Sequence, residues 1–252
     1  MDVGSSTRLY LIRHGEAWSN VEPVIGGMRG DRGLTPLGFA QAERLRDRLA
    51  ATREIDADVV IASTLPRARQ TAEIIAPALG QPIVWDDDIQ ELRPGSSDGI
   101  TLDELQSTYG IPDFRSNPFR PMAPDGENWP EFMLRIGTAL NRITREHAGK
   151  TIVLVTHGGV IDASFLYFMR INTLSVPPVE LSPHNTSITL WEQRTRNGQA
   201  VRWRLVSYND VFHLRDIGHR EPTLWEDLAH EPQVGADKPS VPLPTENSHP
   251  KG

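Results

Sequence analysis

Two short apolar runs constrain this chain more than any other feature. Leu9-Tyr10-Leu11-Ile12 is followed at once by Arg13-His14-Gly15-Glu16, and Thr151-Ile152-Val153-Leu154-Val155 by Thr156-His157-Gly158-Gly159. Apolar runs with such abrupt polar stops read as strands buried on both faces, the kind found in parallel sheets. Each run delivers an imidazole at its carboxyl end, which in an open α/β sheet is where ligands bind. In the first run a permanent guanidinium sits beside the imidazole, a pairing suited to attack on an anion and above all on a phosphoryl group. A strand-capping arginine and a satisfied loop histidine would explain one such tripeptide equally well. Two strand ends of the same design are harder to assign to chance.

The rest of the chain alternates strand and helix signals. Asp58–Ala62 and Ile83–Trp85 read as further strands. Thr35-Pro36 starts a helix as N-cap and first-turn proline, with Leu37, Gln41, Leu45 and Leu49 on one face. Glu43, Arg44, Arg46 and Arg48 fall on its solvent side. Leu65-Pro66-Arg67 opens a helix to about Leu79, which puts Arg67 where helix N–H groups and dipole already favour an anion. Thr101 with Glu104 caps a short helix to Tyr109. A longer helix runs from Pro130 to His147 with Phe132, Ile136, Leu140 and Ile143 inward, and another begins near Val160. The pattern implies a three-layer α/β/α sandwich, a mostly parallel sheet with helices on both faces. Ser187–Gln193 and Ala200–Ser207 add a hairpin about an Asn197-Gly198 turn. Its edge could pair with a second copy, so a homodimer stays open.

Two irregular stretches frame the strand ends. Asn20–Gly33 is glycine-rich and holds Arg29 and Arg32; residues 100–130, broken by Pro112, Pro118, Pro121, Pro124 and Pro130, read as a lid. The acidic run Asp86-Asp87-Asp88 reads as a solvated turn. Residues 1–215 form the catalytic domain in this division. Residues 216–252 form a Pro-rich tail of net charge −4, expected to be disordered.

Composition narrows the function classes. Hydrophobic residues make up 38% and charged residues 23%, as in soluble globular proteins. With no cysteine, disulfides, thiolate metal sites and cysteine nucleophiles are excluded. There is no basic leader and no apolar run of about 18 residues, so no membrane span is expected and the cytoplasm is the default address. The net charge of −7 does not suggest a nucleic-acid binder.

Four segments, in order, resemble the histidine phosphatase superfamily, the group of cofactor-dependent phosphoglycerate mutases and related broad-specificity phosphatases. They are Arg13-His14-Gly15-Glu16 with Asn20; Leu34-Thr35-Pro36-Leu37-Gly38 with Gln41-Ala42; Arg67-Ala68-Arg69-Gln70-Thr71-Ala72; and Val155-Thr156-His157-Gly158-Gly159-Val160. The resemblance spans roughly residues 7–214 and implies that fold. It also implies that His14 is the nucleophile and forms a phosphohistidine, with Arg13, Arg67 and His157 around the transferring phosphoryl group. Asn20 and the Gly158 N–H would add hydrogen bonds to it. The family's proton donor precedes two glycines at a spacing that Glu91, Gly95 and Gly99 keep. Ser96-Ser97 depart from the usual bulky fill there, which leaves Asp98 as a lesser candidate. Asp125-Gly126-Glu127-Asn128 resembles the family's Gly-Glu-Ser at a helix entry, where Glu127 could act or merely cap.

No metal or cofactor is called for, since the arginines supply the charge. The insertion from Gly99 to Gly126 is short and holds no Arg-Arg pair, unlike that of the family's mutases, so water is the expected acceptor and a small phosphorylated molecule the expected partner. A phosphoglycerate mutase-type phosphotransferase and a catalytically idle scaffold are the alternatives. Arg29, Arg32, Arg93, Arg115 and Arg120 could each read a second acidic group, and Phe114, Phe119 and Trp129 could stack on a ring or fill core.

Overall fold

The computed structural model describes residues 6–196 and 199–217. The Asn197-Gly198 turn and nearly all of the acidic tail lie outside those residues. Six strands form one sheet in the order β3-β2-β4-β1-β5-β6. They are β1 (Thr7–Arg13), β2 (Val59–Ser63), β3 (Ile83–Asp86), β4 (Thr151–Thr156), β5 (Ile188–Arg196) and β6 (Gln199–Asp210). The pairs β3–β2, β2–β4 and β4–β1 are parallel, while β5 runs antiparallel to both β1 and β6. The helices are α1 (Pro36–Thr52), α2 (Pro66–Leu79), α3 (Leu102–Thr108), α4 (Trp129–Glu146) and α5 (Gly158–Met169). No helix among the described residues is long and apolar enough to cross a membrane.

Strand alternation builds the three layers. Leu9, Leu11, Ile152 and Leu154 pack with Phe132, Ile136, Leu140 and Ile143 of α4 and Val160 and Ile161 of α5. Their neighbours Tyr10, Ile12, Val153 and Val155 point the other way, against Leu45 and Leu49 of α1 and Ala72, Ile75 and Leu79 of α2. The two central strands are therefore apolar on both faces, as continuous Leu, Ile and Val runs require. The expected sandwich with a mostly parallel sheet is the one observed.

The same layering opens the site. β1 and β4 are parallel neighbours with Arg13 beside Thr156. From β1 the chain leaves toward α1 on one face, and from β4 toward α5 on the other. Their carboxyl ends therefore part around a crevice. The loop after β1 then crosses the start of α1 backbone to backbone. A Cβ on Gly38 would stand 1.9 Å from the Glu16 carbonyl oxygen, and one on Gly15 2.5 Å from that of Gly38. Thr35 caps α1 by accepting from the Gly38 N–H at 3.0 Å, and its hydroxyl donates to Glu16 Oε1 at 2.7 Å. Gln41 Oε1 accepts from the Glu16 N–H at 2.8 Å.

Two expectations about surface charge are corrected. Arg48 does not face solvent freely: it donates to Glu54 at 2.6 Å and to Asp210 of β6 at 2.7 Å. Asp86 and Asp87 are not a merely solvated turn, since Arg142 reaches Asp86 at 2.7 Å and the Thr64 hydroxyl donates to Asp87.

Helix propensity alone would make Gly38→Ala stabilising by about 1 kcal/mol. The contact with the Glu16 carbonyl reverses the sign, and urea denaturation should show a loss of about 2 kcal/mol or more. A variant as stable as the parent would mean that the crossing relaxes freely.

Candidate active site

His14 follows β1 and is almost fully buried, at 3% exposure. Its two ring nitrogens are fixed by different partners. Nε2 lies 3.1 Å from the Arg67 Nε–H, and Nδ1 lies 2.7 Å from the Gly15 carbonyl oxygen. A guanidinium only donates, so Nε2 must accept; Nδ1 then carries the proton and donates to Gly15. The ring is thereby held as one neutral tautomer with its lone pair on Nε2. Burial, then Arg67 and Arg13, push its pKa well below the ordinary imidazole value.

Arg67, in the first turn of α2, is itself fastened. Its guanidinium donates at 2.8 Å both to the Gly26 carbonyl and to Asp31 Oδ2. Asp31 also accepts from the Arg67 and Gly33 backbone N–H groups, and its side chain is fully buried. Thr71, one turn along, accepts from the Gly15 N–H at 3.0 Å and donates to the Arg67 carbonyl at 2.8 Å. Arg13, at the end of β1, donates to the Pro183 carbonyl, while its Nε has no partner among the described residues.

His157 follows β4, whose register with β1 brings the two imidazole centroids to 5.2 Å. Its Nε2 is 2.8 Å from Ser63 Oγ at the end of β2, and its Nδ1 is buried without a partner among the described residues. Burial, then Arg67, His14 and Arg13, hold it neutral as well. A cavity of about 360 Å³ opens in front of this pair, lined by Arg13, His14, Asn20, Arg67, Glu91 and Gly158 among others. His157 stands outside that lining, against the His14 ring. Asn20 spends its carboxamide oxygen on the Ala17 N–H and on Asn185 Nδ2, which orients its own NH₂ outward. Glu91 accepts from the Gly159 N–H at 3.0 Å and the Leu92 N–H at 3.1 Å, so it sits over the N-terminus of α5. A Cβ on Gly158 would meet Arg13 Nε only at 3.7 Å, leaving room there.

The structure thus gathers His14, Arg13, Arg67, Glu91, Asn20 and Gly158 on one cavity, with His157 adjoining. Other candidates fall outside it. Asp98 accepts from the Arg29 and Gly30 N–H groups. Glu127 neither caps α4, which Asn128 does, nor lines the cavity; Arg135 holds it at 2.6 Å. Within the expected lid, Phe114, Arg115, Met122 and Trp129 line the cavity, whereas Phe119 is 61% exposed. A further stretch of wall is formed by Val176, Pro177 and Val179–Pro183, for which the sequence carries no signal. Asp31, Ser63 and Asn185, which fix the named residues, carry no local signal either, and Thr71 is marked only as part of the Arg67–Ala72 segment. Asp162 lines the cavity one turn beyond Gly158, a spacing that a helical projection from Gly158 would have shown.

A model of the histidine phosphatase superfamily (branch 1) matches residues 9–206. Phosphoglycerate mutase-like protein 4 of Arabidopsis thaliana is 33% identical, with 83% of this chain and 88% of that protein aligned. The metal-independent phosphoserine phosphatase of Arabidopsis thaliana is 30% identical, covering 84% of this chain and 85% of its own. A solved phosphoserine phosphatase variant from Entamoeba histolytica, in complex with phosphoserine, superposes with a TM-score of 0.65 at 28% identity. It covers 82% of this chain and 99% of its own.

Two predictions follow from the cage. Asp31→Asn leaves the Arg67 charge buried without its partner, and should cost about 3 kcal/mol or more in urea denaturation. Phosphate-ester turnover by that variant should fall roughly 10²-fold as Arg67 shifts; wild-type turnover would separate Asp31 from the site. The second concerns pH. His14 and His157 are held neutral in the fold, and burial lowers His213 to about 4. Below about pH 6.5 the unfolded chain binds more protons at these positions, so stability falls with pH by up to about 1.4 kcal/mol per unit for each. Asp162, pushed above its ordinary range, opposes this with one proton. Denaturation at pH 7.5 and 5.5 should therefore show lower stability at 5.5, and equal or higher stability there would contradict the buried neutral imidazoles.

Proposed function

The chain belongs to the histidine phosphatase superfamily, and we propose that it hydrolyses a small phosphomonoester through a phosphohistidine on His14, without a metal. The observation that carries this reading is the Nε2 lone pair of His14, held neutral by a guanidinium at the mouth of a cavity. The phosphoserine phosphatases among its relatives support hydrolysis, and the short insertion from Gly99 to Gly126 without an Arg-Arg pair favours water over a mutase's phosphorylated acceptor.

The reaction divides into two displacements. As the ester enters, a phosphoryl oxygen takes over the Arg67 Nε–H, and the freed Nε2 attacks phosphorus. Arg13, Arg67, His157, the Asn20 carboxamide and the Gly158 N–H stabilise the charge on the equatorial oxygens. The P–O bond to the alcohol breaks, and Glu91 gives its proton to the departing oxygen. Water then attacks the phosphohistidine, and Glu91 recovers a proton from it. The N–P bond breaks, releasing phosphate and returning His14 to the tautomer that Gly15 accepts from. Glu91 suits this role by position, since it lines the cavity with His14 and Arg67 and the Gly159 and Leu92 N–H groups fix where its carboxyl points. The guanidinium groups supply the positive charge that phosphoryl transfer requires.

The test is phosphate release from p-nitrophenyl phosphate with EDTA present throughout. Wild type should turn over, and His14→Ala should lose about 10⁴-fold or more. Glu91→Gln should lose about 10²-fold or more on alkyl esters and less on p-nitrophenyl phosphate, whose leaving group needs little protonation. Release that EDTA abolishes, or that survives His14→Ala, would overturn the reading.

A further inference from the structure

The cavity that holds the phosphate cage has a second kind of lining. Ile25, Phe114, Met122, Trp129, Val176 and Leu181 form much of its wall. Its other charged groups are mostly acids: Glu91, Asp162 and Glu180. Asp162 shares one face of α5 with Gly158 and Gly159, and its Oδ1 is buried with no hydrogen-bond partner among the described residues. Burial, with Glu91 and Glu180 nearby and against the pull of Arg13, pushes its pKa well above the usual carboxylate range.

Cations that could read a second acid are engaged elsewhere. Arg32 pairs with Glu22 at 2.6 Å, and Arg29 lies 3.8 Å from Asp98. Arg93 donates to Gln90 and the Asp87 carbonyl, and Arg120 to the Gly110 carbonyl. None of the four lines the cavity. Arg115 does, but as an exposed residue, where water and salt screen its charge.

We propose that the alcohol half of the substrate is bulky, apolar and uncharged, so that the site prefers an aralkyl or branched-alkyl phosphomonoester to a phosphorylated hydroxy acid or amino acid. The proposal rests on the phosphatase reading of the same cage. A carboxylate carried into this wall would lose water among apolar side chains, and the buried cations of the cavity, Arg13 and Arg67, are taken by the phosphoryl group. An apolar group gains from the same burial.

The test compares kcat/KM of the full chain for 2-phenylethyl phosphate, O-phosphoserine and 3-phosphoglycerate. All three leave as primary alcohols, so intrinsic reactivity is nearly matched. The phenylethyl ester should exceed both acids by about tenfold or more, and Val176→Arg should narrow that ratio at least threefold. Equal or faster turnover of either acid, or a ratio that Val176→Arg does not move, would overturn the substrate class while leaving the phosphatase reading in place. Absence of turnover on every ester, or turnover that persists in His14→Ala, would instead remove the phosphatase reading and this proposal with it. Should Val176→Arg fail to fold, the wild-type ratio still decides.

Discussion

The contact on which the rest of the site depends is the one between Arg67 and His14. A permanently charged donor 3.1 Å from Nε2 tolerates only a lone pair there, so a single hydrogen bond selects both the charge and the tautomer of the imidazole. The Gly15 carbonyl, 2.7 Å from Nδ1, completes the selection. Neither partner could be placed without the fold around it. Gly15 is positioned by Thr71 and by its crossing with Gly38, and Arg67 by Asp31 and the Gly26 carbonyl. The β1–β4 register then brings His157 alongside.

Gathering two arginines and two histidines in a buried place is electrostatically costly, and the structure distributes the cost. Asp31, with its side chain wholly buried, neutralises Arg67 and accepts two backbone N–H groups besides. The histidines avoid adding charge by remaining neutral, as burial and the nearby guanidiniums require. Positive charge is thus concentrated where a phosphoryl group would sit. Asp162, Glu180 and apolar side chains share the rest of the lining.

Much of this was legible in the sequence because it is written locally. An apolar run with a hard stop at His-Gly defines a strand and its end together, so β1, β4 and both histidines could be placed without tertiary information. Thr35-Pro36 and Thr101 with Glu104 announce their helices through caps that lie within four residues. What escaped depends on distant partners. Asp31 sits among glycines that read as loop, and the arginine it holds lies 36 residues away. Arg48 belongs by periodicity to a solvated face, but Asp210, 162 residues on, reaches it from β6. The wall from Val176 to Pro183 has neither helical nor strand period, so only the folded chain reveals that it closes the cavity. Glu127 reads locally as a cap or an active group, but Asn128 caps α4 and Arg135, eight residues on, holds the Glu127 carboxylate outside the cavity lining.

The central claim is that His14 is a neutral imidazole with its proton on Nδ1 and its lone pair on Nε2. Nitrogen-15 NMR of the histidine rings, with His14 assigned by comparison with His14→Ala, reads this directly. At pH 6 His14 should show a protonated-type Nδ1 shift and an unprotonated-type Nε2 shift, unchanged as the pH is lowered toward 5.5. Two protonated nitrogens at pH 6, or a proton on Nε2, would contradict it.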